Sequence, residues 1–288
     1  MRKCFWTRAT TIPDVDNCQR VRCRVIHGDL NIAAQTQRVE RDVNYRDCLI
    51  TTEHLLVWMD RLCVGTGRLT LPNAEVARMS GTRLGFELEE EFDLEGLRSI
   101  HHQLVEVSRV CLMKDWHHSQ AVTRLYEGLV VLSWLHGKRF LIGAVDCQTG
   151  FQAEAELMRA VLERRGAMHP HYRVEADSRA QDRDQSHEPR SGSHFYTQAE
   201  REAGERGELH GLRVAPALTA FIKRLGAQCI GAPALHPSFP RYVLPMLASL
   251  QALPESTLKS FDPTLVASTL GATDRSASTT NQHRRIAS

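Results

Sequence analysis

A chain of 288 residues that is 42% hydrophobic and 24% charged has the makeup of an ordinary globular protein, with length for one to two domains. A formal net charge of +2 gives no reason to expect nucleic acid as partner, although fourteen histidines and clustered arginines allow local basic patches for an acidic carrier. No apolar run approaches the roughly 18–20 residues that span a bilayer, and the first residues lack the apolar stretch of a secretory signal.

The eight cysteines never fall at C-x-x-C spacing, so they read as free thiols rather than a disulfide frame or a metal site. These features point to a cytoplasmic protein and leave peripheral contact with the inner membrane open.

In chain order, residues 1–15 are set aside as an N-terminal extension. "DNCQRVRCRVIH" (16–27) spaces Val21 and Val25 for a short first helix. "EHLLVWMDRLCVGTGRLTL" (53–71) predicts two strands joined at a polar turn. The acidic stretch 85–97 reads as a loop entering a short helix. "LVEVSRVCL" (104–112) alternates like a strand yet carries Glu106 and Arg109 three residues apart.

Residues 121–137 and 151–166 each predict a helix closed by glycine, with a buried strand over 138–146 between them. Residues 173–193 are nearly free of large apolar side chains and predict a mobile surface loop. Residues 216–235 read as helix, glycine stop, strand. "YVLPMLASL" (242–250) predicts a last strand that Pro245 demotes to an edge or bulge. The remainder, 255–288, reads as a tail, disordered from about residue 271. Strands alternating with helices argue an α/β fold in one domain over 16–254.

Four stretches taken in order carry a resemblance: "RDVNYRD" with "EHLLV" (41–57), "VGTGRLT" (64–70), "FELEEEFDLEGL" (86–97) and "VEVSRVCL" (105–112). They are similar to the bacterial ornithine-lipid acyltransferases, and the likeness continues through 125–150 and 216–239. It covers roughly residues 16–250. The resemblance implies a GNAT-like fold, a central mixed twisted sheet flanked by helices with a V-shaped cleft, related to acyl-homoserine-lactone synthases and N-acyl amino acid synthases. It implies transfer of a (3-hydroxy)fatty acyl group from acyl carrier protein to the α-amine of ornithine, giving lyso-ornithine lipid. No bound cofactor or metal is expected. The phosphopantetheine thioester of acyl carrier protein is the donor substrate.

Aminolysis of a thioester needs a neutral amine, a stabilised oxyanion and a leaving thiolate. On the family pattern Glu106 takes the amine's proton, directly or through water. Arg109 and Arg68 match an E-x-x-R pair and an arginine after a G-T turn, one to hold the acceptor's carboxylate and one to brace Glu106. Arg22, Asp42 and Asp47 match acceptor-pocket positions, and two acids suit a cationic side chain. His54 matches an acid-His-L-L-V pattern. Plainer accounts stand beside these: a surface ion pair for Glu106 and Arg109, solvated loop acids, and a packing histidine. The donor's oxyanion is assigned to backbone N–H groups that no residue type identifies.

"MKDWHHSQAV" (113–122) contains no glycine, unlike the pyrophosphate-binding turn of CoA-dependent relatives, which favours acyl carrier protein over CoA. Lys114, Arg124, Lys138 and Arg139 are the cations available to dock its acidic surface, or simply a solvated basic face. Three positions depart from the pattern: His117, Thr219 and His236 stand where an arginine, a lysine and an acid are usual. Another amine acceptor, or a catalytically silent relative that binds acyl carrier protein or lipid, are the competing readings.

Overall fold

The computed structural model describes residues 3–30, 40–177, 194–266 and 269. The chain is mixed α/β, as the pattern predicts. It begins with β1 (Cys4–Arg8), α1 (Ile12–Leu30), β2 (Thr52–Met59), β3 (Leu62–Thr70) and α2 (Ala74–Ser80). β4 (Phe92–Asp93), β5 (Leu104–Leu112), α3 (Gln120–Leu135), β6 (Phe140–Asp146) and α4 (Gln152–Arg164) follow. The last elements are β7 (Glu175–Ala176), α5 (Gln198–Glu205), α6 (Pro216–Leu225), β8 (Gln228–Cys229), β9 (Ala234–Leu235), β10 (Tyr242–Ser249) and α7 (Glu255–Ser260).

These elements pack as two compact units, one drawn from 1–71, 107–139 and the chain from 255 on, the other from 72–106 and 140–254. In the first unit β1 and β3 flank β2 in antiparallel pairing, and residues 107–112 of β5 lie next to β3. The segment set aside as an N-terminal extension thus supplies strand β1. Register places Thr52 opposite Thr70, His54 opposite Arg68 and Leu56 opposite Thr66, so the six share one face of the ladder.

α1 covers that face. Its Cys18 and Val21 pack with Leu56, Cys63 and Cys111. α3 covers the other face, where a Cβ on Gly128 would stand 2.5 Å from a Leu55 methyl and 2.9 Å from the Trp6 ring. That contact requires glycine in mid-helix despite its cost in helix propensity.

In the second unit, residues 104–106 of β5 run parallel to β6, and β6 runs antiparallel to β10. An apolar core of Phe86, Phe92, Leu97, Leu104, Ile142 and Leu247 sits beside this ladder. β10 is an inner strand, so of the two alternatives that Pro245 suggested, an edge or a bulge, the edge does not hold. It pairs with β6 on one side and with β8 and β9 on the other. The Pro245 carbonyl accepts the Ile230 N–H at 3.0 Å, so the proline nitrogen faces that same side, in the gap between the β8 and β9 pairings. Its missing N–H therefore removes no bond to β6.

The polar run 173–193 begins as ordered chain, a further departure from expectation. Val174, its one large apolar side chain, is buried and bonds through its N–H to Ile230, and β7 pairs with β4. The rest of that predicted loop, 178–193, and the predicted tail from 271 lie outside the described residues.

Candidate functional site

Beneath α1, the first unit buries charge rather than hydrocarbon at one end of the β2–β3 face. Asp47 lies in a single 3-10 turn, Tyr45–Cys48, whose N-cap Asn44 and third residue Asp47 bond reciprocally as a capping box. The turn aims the Asp47 carboxylate inward. Arg22 of α1 grips it with two bonds, 3.0 Å to Oδ1 and 2.5 Å to Oδ2. Arg68 of β3 reaches Oδ1 at 3.2 Å, and Gln19 donates to Oδ2 at 3.1 Å. Arg22 and Arg68 are both 0% exposed. Burial opposes charge on Asp47, but the Arg22 fork, the Gln19 amide and Arg68 outweigh it and lower its pKa from 3.8 to about 2.

Asp42 forms the second tier. Its Oδ2 stands 3.1 Å from Arg22 Nε and 3.6 Å from Arg109 Nε, and its carboxylate keeps some solvent exposure. Ser108 accepts from Arg68 Nε at 3.0 Å. Two consecutive strand residues, Ser108 and Arg109, thereby serve one cluster, which regular alternation forbids. Arg109 has φ of 53°, a left-handed conformation unusual for a non-glycine residue, and this kink turns its side chain to the face that Ser108 already occupies.

His54 completes the group. Its Nε2 donates to the Asp47 carbonyl at 3.2 Å, which leaves Nδ1 with a bare lone pair. Burial pushes the His54 pKa down, against the pull of Asp47. Among the described residues, His54 Nδ1 and the hydroxyls of Thr52 and Thr70 are buried without a hydrogen-bond partner.

Six of the residues singled out in the sequence, Arg22, Asp42, Asp47, His54, Arg68 and Arg109, are therefore brought together in the first unit. Glu106 belongs to the second. It is 1% exposed, and its two oxygens accept the N–H groups of Glu87 at 2.9 Å and Leu88 at 2.8 Å. Those bonds fasten the turn Glu87–Glu90 to β5. The supporting residues Gln19, Ser108, Thr52 and Thr70 were not found by sequence reasoning. Gln19 could have been, because it stands three residues before Arg22 on the same helix face.

The proposed docking cations differ among themselves. Lys114 and Arg139 are exposed and Lys138 is half-buried. Desolvation lowers the Lys138 pKa. Arg124 is tied at 2.5 Å to Glu127, itself 0% exposed, so its charge is already committed to the interior. Of the positions that depart from the family pattern, His117 bonds the Leu112 carbonyl at 2.7 Å and His236 stands 3.7 Å from Glu91. All eight cysteines are free thiols, and Cys111 is a core residue. Among the described residues no cluster of His, Cys, Asp and Glu could hold a metal ion, and no helix is long and apolar enough to cross a membrane.

No curated protein matches the chain. Solved structures with a similar chain course include FeeM, an N-acyl amino acid synthase from uncultured soil microbes, at 9% identity and a TM-score of 0.48, over 87% of this chain and 92% of that one. TofI, solved in complex with an inhibitor and MTA, is 16% identical with a TM-score of 0.45, over 91% of this chain and 99% of its own. BjaI, a CoA-dependent acyl-homoserine lactone synthase, is 12% identical with a TM-score of 0.43, over 93% and 90%. These likenesses are faint. The family model of an acetyltransferase (GNAT) domain matches residues 21–127. The matched segment contains Arg22, Asp42, Asp47, His54, Arg68 and Arg109, so these members of the buried charge cluster lie within it.

Proposed function

We propose that the chain is an N-acyltransferase that moves a (3-hydroxy)fatty acyl group from acyl carrier protein to the α-amine of ornithine, giving lyso-ornithine lipid. The observation that carries the acyl-transfer reading is the Asp42–Asp47–Arg22–Arg68–Arg109 cluster inside a segment matched by an acetyltransferase domain model. An amino acid offers a carboxylate and an amine a few ångströms apart. Guanidinium groups that already share carboxylates can exchange one for that of a ligand. Asp42, the partly accessible acid, is left to meet a cationic side chain.

Ornithine as acceptor rests on the family likeness in the sequence and on Asp42. Acyl carrier protein as donor rests on the glycine-free stretch 113–122 and on Lys114, Lys138 and Arg139. One observation favours a second reading, in which the amine is another amino acid. Asp47 is saturated by Arg22, Gln19 and Arg68, so a cationic side chain finds one acid rather than the two that the sequence suggested.

Lipid mass spectrometry of a host lacking ornithine lipids, with and without this chain, tests both. Lyso-ornithine lipid appearing with the chain is the expected result. A different N-acyl amino acid moves the assignment to the second reading, and an unchanged lipid profile with soluble protein overturns the synthase reading.

A further inference from the structure

The transfer needs a group to accept a proton from the acceptor's ammonium. The oxygens of Glu106 are engaged by backbone N–H donors, and the Asp47 carboxylate is held by two arginines. His54 differs. Its ring is fixed by the Nε2 bond to the Asp47 carbonyl, which sets the proton on Nε2 and points the basic atom, Nδ1, elsewhere.

His54 is 4% exposed, and yet Nδ1 has no partner among the described residues. The neighbouring Thr70 hydroxyl, on a residue 0% exposed, has none either, nor has that of Thr52. Register sets these side by side: Thr52 two residues before His54 on one face of β2, and Thr70 directly across from Thr52 on β3. Buried polar atoms are seldom left unbonded, and each costs roughly 1–3 kcal/mol when it is. Three in one patch mark a place that a hydrogen-bonding visitor completes. An imidazole lone pair calls for a donor, and two hydroxyls can accept as well. Such a patch suits an ammonium group.

We infer that His54, through Nδ1, is the residue that takes the proton from the acceptor's α-ammonium, with the Thr52 and Thr70 hydroxyls positioning that group. The inference rests on the acyltransferase reading and replaces Glu106 in the proton-handling role. The ammonium gives one proton to Nδ1. The freed nitrogen pair attacks the thioester carbonyl carbon, and the C–S bond breaks as the tetrahedral intermediate collapses. The amine nitrogen's second proton goes to the departing thiolate, leaving amide and thiol, and the imidazolium returns its proton to water.

Charged groups on each element around the ring bear on this. Arg22 of α1 and Arg68 of β3 disfavour the imidazolium, while Asp47 in the 3-10 turn favours it. Burial of the ring, the largest influence, acts in the same direction as the two arginines.

The test is thiol release from a 3-hydroxyacyl carrier-protein thioester with ornithine, measured across pH for the wild-type protein and H54Q. Glutamine keeps an N–H for the Asp47 carbonyl and removes the basic atom. Turnover by H54Q is expected to fall about 100-fold near neutral pH. The deficit shrinks as pH rises through the amine's own titration, because a neutral amine needs no acceptor. A deficit constant with pH, or no deficit, overturns the role of His54 while leaving the transferase reading in place. Wild-type protein that releases no thiol with any amine overturns the transferase reading and this inference together. Should H54Q not fold, nitrogen-15 spectra of the wild-type protein decide. A saturable ornithine-dependent shift at an unprotonated His54 Nδ1 is expected, and a proton on Nδ1 or an unmoved resonance overturns the inference.

Discussion

Asp47 of the first unit and the pair Glu89 and Glu106 of the second are buried carboxylates held mainly by different kinds of donor. In the first, Asp47 is bound by side chains from α1 and β3, namely Arg22, Gln19 and Arg68. In the second, Glu89 accepts the N–H groups of Arg83, Leu84 and Phe86, and Glu106 those of Glu87 and Leu88. A carboxylate bound to backbone acts as a staple. Its partners cannot leave without unfolding the turn, so it suits architecture. A carboxylate bound to guanidinium side chains sits in a set whose members can trade partners with a ligand. The Asp47 charge is therefore held in a set that can exchange partners, whereas Glu89 and Glu106 pin turns of the backbone.

The largest expected effect comes from breaking the first arrangement. Asp47→Asn takes from the buried Arg22 and Arg68 the carboxylate they share, and urea unfolding should show a loss of about 3–5 kcal/mol, with acyl transfer abolished. A loss below about 1 kcal/mol would contradict the ion-paired interior.

Acid probes the same site more gently. The folded pKa of Asp47, about 2, lies below its ordinary 3.8, so its contribution is whole above about pH 4 and lost as pH falls toward 2. That difference corresponds to about 2 kcal/mol. The stability gap between wild type and Asp47→Asn should narrow over that window, and a gap independent of pH would contradict the shift.

The second arrangement predicts a different outcome. Glu106→Gln keeps one acceptor oxygen and should cost about 1–3 kcal/mol, seen as a lower melting temperature, with turnover per folded molecule changed only a few-fold. A well-folded variant slowed 100-fold would restore Glu106 as the base. At Arg109 the backbone is separable from the charge. Arg109→Gly suits a φ of 53° and Arg109→Ala does not, so the alanine variant should be the less stable by about 1 kcal/mol although both lose the guanidinium.

The smallest effect concerns the thiols. Burial pushes Cys18 up to about 11 and Cys63 up to about 12, whereas Cys48 is exposed. One cysteine should react quickly with a thiol reagent at neutral pH, and Cys48→Ser should abolish that fast phase without shifting the unfolding midpoint.

Much of the fold was legible because it is written in local pattern. The β2–β3 hairpin and β5 follow from alternation, and α3 and α4 from apolar stripes closed by Gly137 and Gly166, which adopt φ of 65° and 68°. What was illegible depends on partners distant in sequence. Pro245 reads as an edge residue until its open side is known. Arg109 shares a face with Ser108 only through a backbone angle that no propensity for arginine suggests. Which ring nitrogen of His54 is left open is not legible in sequence either, because it turns on the bond to the Asp47 carbonyl. Glu106 carried the same letter whether base or staple, and its hydrogen-bond donors lie 18 and 19 residues away.

Glu127 of α3 ties distant parts of the sequence together. Its carboxylate accepts the Trp6 indole N–H at 3.1 Å, the Arg124 guanidinium at 2.5 Å and the backbone N–H of Asp262. Residues 6 and 262, almost the whole sequence apart, thus meet on one side chain. The first unit is in that sense topologically closed. Joining those two segments by a short linker and opening the chain at an exposed turn should give a circular permutant that folds. Deleting the chain beyond residue 254 should not be neutral, because it strips a donor from a carboxylate that water does not reach.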